Sequence, residues 1–363
     1  MTTLDATPYV ATPVLRLGGR AEPSVGLDVL AATAEETVLG MATCELVLSN
    51  WGLRDGRPDY RYLDRRVIDF GTELELVLGA DSGTAAARAV FRGTVGALVA
   101  EYPLDAPVRL TVLAEDGLDA LRTTRRTRTF TDVSTAGIVE ALAGDHGLTA
   151  DVDLAGPTHR QVAQLAETDL ALLRRLVRAD GGELWLAGTT LHAQRRSARD
   201  GEQLTFTYGG NLLSATVRAD LAGQATSVAV TGWSVADKQA VAETADDADL
   251  GSETGGLVTA ASILRDGDRS RTRTLDRAVP GDTEHARALA RSAYAESARR
   301  FVTGTAVCSG QPRLRVGGTV RLRGLGGLFD GSYRVTRTRH RYTRHLGYRT
   351  EFDVERPGIG ARP

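Results

Sequence analysis

The chain has 363 residues, of which 42% are hydrophobic and 25% charged, with a formal net charge of -2 and a pI near 6.3. That length exceeds one ordinary core and predicts two or three domains, and the near-neutral balance excludes a dedicated nucleic-acid binder, whose phosphate contacts leave a basic excess. No apolar run approaches the roughly eighteen residues of a membrane span, and the start lacks the basic and apolar regions of a secretory leader, so the chain is expected to stay in the cytoplasm that makes it. Lys238 is the single lysine, and Cys44 and Cys308 read as small buried apolar residues rather than a disulfide.

Up to residue 115 the chain alternates in short runs such as CELVLSN and ELELVLG between Gly, Asp and Pro clusters, which predicts a β domain. Two helices follow. In FTDVSTAGIVEALAGDHG, Asp132 or Ser134 caps and Ile138, Val139 and Leu142 form the apolar face; in ETDLALLRRLVRADGG, Thr168 caps and Leu173, Leu176 and Val177 face inward. With the hairpin ELWLAGTTLHAQ they make a small α/β domain over about 116–222. Strands return from about 226, and the region 223–363 reads as a second β domain with an insertion at about 240–305. That insertion holds an acidic stretch, AETADDADLGSETGG, expected to be a mobile loop, and an Ala/Arg-rich helix.

The two β regions echo each other. GTELELVLG followed by VFRGTV resembles GGTVRLRG followed by LFDGSY, with Leu74 and Leu76 answering to Val320 and Leu322, Phe91 to Phe329, and Gly93 to Gly331. Generic hairpins produce similar echoes, but these flank the α/β unit, as one barrel-like module used twice would.

The stretch LFDGSYRVTRTRH concentrates polar chemistry. His340 and His345 lack a third ligand at zinc-like spacing, and Asp330 lies in Phe-Asp-Gly, the grammar of a tight turn rather than of acid/base catalysis. GLGGLFDG has Phe329 where a dinucleotide loop needs its third glycine. No catalytic, cofactor or metal site is therefore assigned. Tyr333 and Val335 share one face, whereas Thr338 and His340 would share the other, so an inward placement of both pairs requires a β-bulge near Thr336 and Arg337.

RTRTFTDVSTAGIVEALAGDHGL, QLAETDLALLRRLVRADGGELWL with Gln164, Thr168 and Asp169, YGGNLLSATVRAD, GTVRLRG, LFDGSYRVTRTRH and GYRTEFDVER occur in this order over most of the chain. In this it resembles the phage late control D proteins, central hubs of contractile tails, and the hub portion of the VgrG spike proteins of type VI secretion. The resemblance implies a β-rich α+β fold, with two similar tube-type β-barrel domains (1–115 and 223–363) around the α/β domain. It implies a homotrimer of pseudo-six-fold symmetry joining a hexameric inner tube to a trimeric spike, without enzymatic activity. The expected partners are further copies of the chain, the tube protein, a spike on a separate chain and other baseplate proteins, in a phage tail-like particle. The absence of a fused spike disfavours a type VI component. Arg334, Arg337, Arg339, His340 and Arg341 are then candidate subunit-interface or lumen-lining residues, with solvated strand faces or nucleic-acid contact as alternatives. The rival functions are a cell-envelope hydrolase of the same machinery, for which no paired carboxylates are found, and a β-rich glycan or nucleic-acid binding module, for which 5% aromatic residues is poor.

Overall fold

The computed structural model describes residues 12–54, 56–79, 88–199, 201–234, 238–275, 280 and 282–361. The first eleven residues of the expected first β region and the last two of the chain lie outside these.

The first region runs β1 (Val14–Leu17), β2 (Arg20–Ala21), α1 (Pro23–Asp28), β3 (Val29–Thr37), β4 (Thr43–Ser49), β5 (Trp51–Arg54), β6 (Arg57–Tyr60), β7 (Glu73–Val77), β8 (Ala89–Glu101) and β9 (Arg109–Glu115). Period-two alternation builds it: in β4, Cys44, Leu46 and Leu48 are buried while Thr43 and Glu45 face out.

Next come α2 (Asp119–Thr123), β10 (Arg125–Ser134), α3 (Thr135–Asp145), β11 (Thr149–Asp153), β12 (Thr158–Thr168), α4 (Asp169–Ala179), β13 (Gly182–Ala187) and β14 (Thr190–Arg195). Ser134 Oγ accepts the Gly137 N–H at 3.2 Å and Thr168 Oγ1 the Ala171 N–H at 3.1 Å, satisfying one orphan donor at the start of each helix. α4 buries Leu170, Leu172, Leu173, Leu176 and Val177 in a core shared with α3 and the β11–β14–β13 sheet.

The remainder is β15 (Leu204–Thr207), β16 (Leu212–Ala219), β17 (Ser227–Ser234), β18 (Gln239–Asp246), β19 (Val258–Thr259), α5 (Ala260–Asp266), β20 (Thr272–Thr274), α6 (Thr283–Arg299), β21 (Val302–Ser309), β22 (Thr319–Arg323), β23 (Gly331–Thr343), β24 (Gly347–Arg356) and β25 (Gly358–Ile359). The acidic stretch expected as a mobile loop instead completes β18 and a 3-10 helix, Asp247–Thr254. Asp246 accepts the Ala248 N–H at 2.9 Å and Asp249 accepts the Asp246 N–H at 3.1 Å, a reciprocal cap. Arginines of the following helices neutralise the other carboxylates: Arg265 of α5 meets Asp247, and Arg287 and Arg299 of α6 meet Glu243 at 3.1 Å and Glu253 at 2.6 Å. Sheet β18–β17–β20 and α6 enclose a separate core of Val228, Val230, Val241, Ala286, Ala290 and Tyr294, which begins with β17 rather than near residue 240.

Thirteen strands form one sheet, in the order β16–β21–β24–β23–β3–β4–β9–β8–β7–β1–β2, with β22 pairing β23 and β15 pairing β22. It contains no closed barrel among the described residues; its nearest approach to closure is a single bridge between Tyr208 and Leu212. Among the described residues no helix is long and apolar enough to cross a membrane.

One pattern of register occurs twice in this sheet. Thr94, Glu115, Thr43 and Glu35 lie side by side across β8, β9, β4 and β3; Arg334, Glu355, Thr303 and Arg218 do so across β23, β24, β21 and β16. Each set carries two bulges at the same places, Gly96 and Leu30 in one and Thr336 and Leu213 in the other. Leu74 and Leu76 lie opposite Gly93 and Phe91, as Val320 and Leu322 lie opposite Tyr333 and Gly331. The expected matching of Phe91 with Phe329 and Gly93 with Gly331 is therefore off by two residues: Phe91 lies at the level of Gly331, and Gly93 at that of Tyr333. The reason is steric. A Cβ on Gly93 would stand 2.5 Å from the Phe91 ring and 2.2 Å from the Glu115 carbonyl oxygen, whereas on the other side Tyr333 carries the ring and a Cβ on Gly331 would stand 2.6 Å from Arg356 Nη1. Aromatic and glycine exchange places around the same volume.

Candidate functional site

Most of the sequence-singled stretch lies on β23, which contributes side chains to two cores. Tyr333 and Val335 are buried with the β15–β16–β21–β22–β24 side chains, and Tyr342 is buried with those of β1, β3, β4, β7, β8 and β9. Between them Thr338 and His340 are also buried. The ladder to β24 slips between Val335 and Arg337, so Thr336 is the bulge that switches the inward phase, where alternation required one. On the far side of β23, residues Arg337–Thr343 pair with Thr37–Ala31 of β3, antiparallel.

Arg337, Arg339 and Arg341 stand on the opposite face from Thr338, His340 and Tyr342, and find their carboxylates within the same chain. Arg337 forks onto Asp353, Nε to Oδ2 at 2.7 Å and Nη2 to Oδ1 at 3.0 Å. Arg339 reaches Glu35 at 2.6 Å and Arg341 reaches Glu351 at 2.8 Å. Burial pushes Asp353 up, but hydrogen bonds from Arg337 and Thr305 outweigh it and hold the carboxyl below its ordinary range. These pairs are partly exposed, and such pairs contribute about 0.2–1 kcal/mol each.

His340 behaves as a core residue. Burial pushes it down to about 3, so it is neutral, and its Nδ1 lies 2.8 Å from Tyr348 Oη and 3.3 Å from Thr350 Oγ1. His345 is exposed in the turn before β24. No group of three His, Cys, Asp or Glu side chains among the described residues is placed to hold a metal. Asp330 accepts the Leu325 and Gly324 N–H groups at 2.6 and 3.3 Å, the work of a turn aspartate, and the Tyr333 hydroxyl donates to the Phe329 carbonyl at 2.7 Å.

Sequence reasoning missed the ion cluster behind this strand. Arg199, with a side chain only 4% exposed, joins Glu36 of β3 at 2.7 Å to Glu183 of β13 at 3.3 Å. Its guanidinium lies 4.6 Å from the centre of the Trp185 ring, and that ring stacks on His192 at 4.9 Å. Arg334 contacts Glu183 at 3.3 Å, Arg196 contacts Glu355 at 2.6 Å and Arg315 contacts Glu36 at 2.9 Å. Burial pushes the Arg334 guanidinium down despite Glu183. Four strands of two sheets, β3, β13, β23 and β24, thus meet on one charge network. Its members are far apart in sequence, so no local pattern announces it.

A family model described as the Alg8 N-terminal domain matches residues 27–344. The chain belongs to that family. Among solved structures, the 43 kDa tail protein of prophage MuSo2 from Shewanella oneidensis has a TM-score of 0.70 at 14% identity, over 95% of this chain and 98% of that one. A tail protein from Neisseria meningitidis MC58 has a TM-score of 0.66 at 14% identity, over 96% and 97%. The Escherichia coli c3393 protein, a type VI secretion component described as similar to the T4 tail proteins gp27 and gp5, has a TM-score of 0.57 at 13% identity, over 93% and 76%. No curated protein matches the sequence. The fold is therefore the β-rich fold of phage tail proteins.

Proposed function

We propose that this chain is a structural hub of a contractile, phage tail-like injection machine: a homotrimeric adaptor between a hexameric inner tube and a trimeric spike, with mechanical rather than catalytic work. The observation that carries this reading is the recurrence of one strand register, bulges included, in two halves of a single chain. On it, residues 1–115 and 223–363 are two tube-type β domains around an α/β domain at 116–222, and three chains supply six such domains. That is the stoichiometry that matches a six-fold tube to a three-fold spike. The tail-protein fold and the type VI component among the structural neighbours support the same assignment. The face of β23 carrying Arg337, Arg339 and Arg341 then lines the lumen, its charge offset by Glu35, Glu351 and Asp353.

Native mass spectrometry of the chain, followed by end-on negative-stain imaging, tests the reading. A trimer appearing as a ring of six lobes is the expected result. A ring with any other number of lobes overturns it.

A further inference from the structure

Within the chain the two halves of the repeated register are joined by strand pairing: β23 of the second lies beside β3 of the first, with Arg339 opposite Glu35, His340 opposite Ala34 and Tyr342 opposite Ala32. The matched rows make Arg218 of β16 the counterpart of Glu35, and Thr94 of β8 the counterpart of Arg334. Counting along the strands, Val99, Ala100 and Tyr102 are the counterparts of Arg339, His340 and Tyr342. The same junction can therefore be formed a second time, between β16 and the far half of β8, yet within one chain the two edges do not meet. Beyond Val95, β8 has β9 as its one strand neighbour among the described residues; from Ser214 on, β16 has β21.

Exposure follows the vacancy. Tyr342, covered by β3, is 5% exposed, and its counterpart Tyr102 is 60% exposed; Val99 is 46% exposed and Leu213, on the β16 bulge, 45%. Free strand edges bearing apolar side chains are normally blunted or covered. These two are complementary by the chain's own example, because β3 and β23 already pair in this geometry.

We propose that β16 of one copy pairs antiparallel with Ala97–Glu101 of β8 in a second copy, in the register that sets Arg218 opposite Val99 and Val217 opposite Ala100. Tyr102 of that second copy then enters the β15–β24 core of the copy that supplies β16, as Tyr342 enters the core of the half that supplies β3. Glu101 falls opposite Thr216, diagonal to Arg218. The contact is head-to-tail, so it closes a ring only if the rotation between successive β units is repeated. For the number of copies, three, the inference rests on the hub reading above.

The test is a disulfide placed in register, V99C with R218C, against an off-register control, V99C with S214C. Residues directly opposite in an antiparallel pair have Cα atoms about 4.5–5.5 Å apart, within disulfide reach, whereas a displacement of four residues adds about 13 Å. Val99, Arg218 and Ser214 are all exposed, so folding is spared, and the native Cys44 and Cys308 are buried. Under mild oxidation the matched variant is expected to give covalent dimer and trimer, about tenfold more than the control. A trimer in native mass spectra whose matched pair cross-links no faster than the control overturns the strand pairing and leaves the hub reading standing. Cross-linking that runs past trimer into an open ladder keeps the pairing and overturns the three-copy ring. A chain that stays monomeric at every concentration, with no cross-link, overturns both.

Discussion

Arg199 and Glu36 meet at 2.7 Å across the junction between the α/β unit and the thirteen-stranded sheet, with 4% and 14% of their side chains exposed. Desolvating two charges is costly, and the pair is retained because Arg199 also reaches Glu183 and stacks on Trp185. Arg199→Met removes the cation that Glu36 and Glu183 share, leaving Glu36 to the part-exposed Arg315 and Glu183 to Arg334. It is expected to destabilise the chain by about 3–5 kcal/mol in urea unfolding. A loss under about 1 kcal/mol would show that the network is incidental.

The arginines of β23 should behave differently. Arg337→Ala and Arg341→Ala each remove a partly exposed pair, and a loss of about 0.2–1 kcal/mol is expected from each. If either variant costs as much as Arg199→Met, these side chains carry a load that their surroundings do not explain.

Gly93 is a packing requirement rather than a turn. Gly93→Ala drives a methyl against the Glu115 carbonyl and the Phe91 ring, and overpacking of that kind costs about 1–3 kcal/mol. Combining it with Phe91→Leu, which frees the ring's volume, should recover part of the loss. Strict additivity in a double-mutant cycle would contradict the shared volume.

Two buried groups set opposing pH dependences. His340 is pushed down to about 3, so below about pH 6.5 the unfolded chain takes up a proton that the folded chain refuses, and stability falls by about 1.4 kcal/mol per pH unit. Asp116, which accepts the Ala42 and Leu118 N–H groups at 2.7 and 3.0 Å, is pushed up to about 6 by burial. Between about pH 4 and 6 the folded chain holds that proton more tightly, so acidification is favourable there and offsets His340. Asp116→Asn removes the offset. Its stability should fall more steeply than the parent's from pH 6 to pH 4, by about 1.4 kcal/mol per unit, in urea titrations at each pH. Parallel profiles would rule out the elevated carboxyl.

Local signals made much of this fold legible. Ser134 and Thr168 cap the helices where the pattern put them, and the phase conflict between Val335 and Thr338 located the bulge at Thr336. The Phe91–Phe329 matching erred because it aligned residue types, whereas register is fixed by strand pairing that no single segment displays. The acidic stretch looked like a loop because its strand buries only Val241 and Ala245 and its charges are met by distant arginines, most of them on α6 some forty residues on. The partners of Arg339 and Arg199 were illegible for the same reason, since Glu35 and Glu36 lie 304 and 163 residues away.

One strand, β23, holds Tyr333 in one core and Tyr342 in another, with no linker between. The two cores cannot rock against each other as domains on a hinge do. Force applied along β23 at one of them reaches the other through peptide bonds, and the flanking ladders to β3 and β24 resist it in shear, many hydrogen bonds at once rather than one after another. On the hub reading proposed above, the stiffness such a part needs is already present in a single molecule.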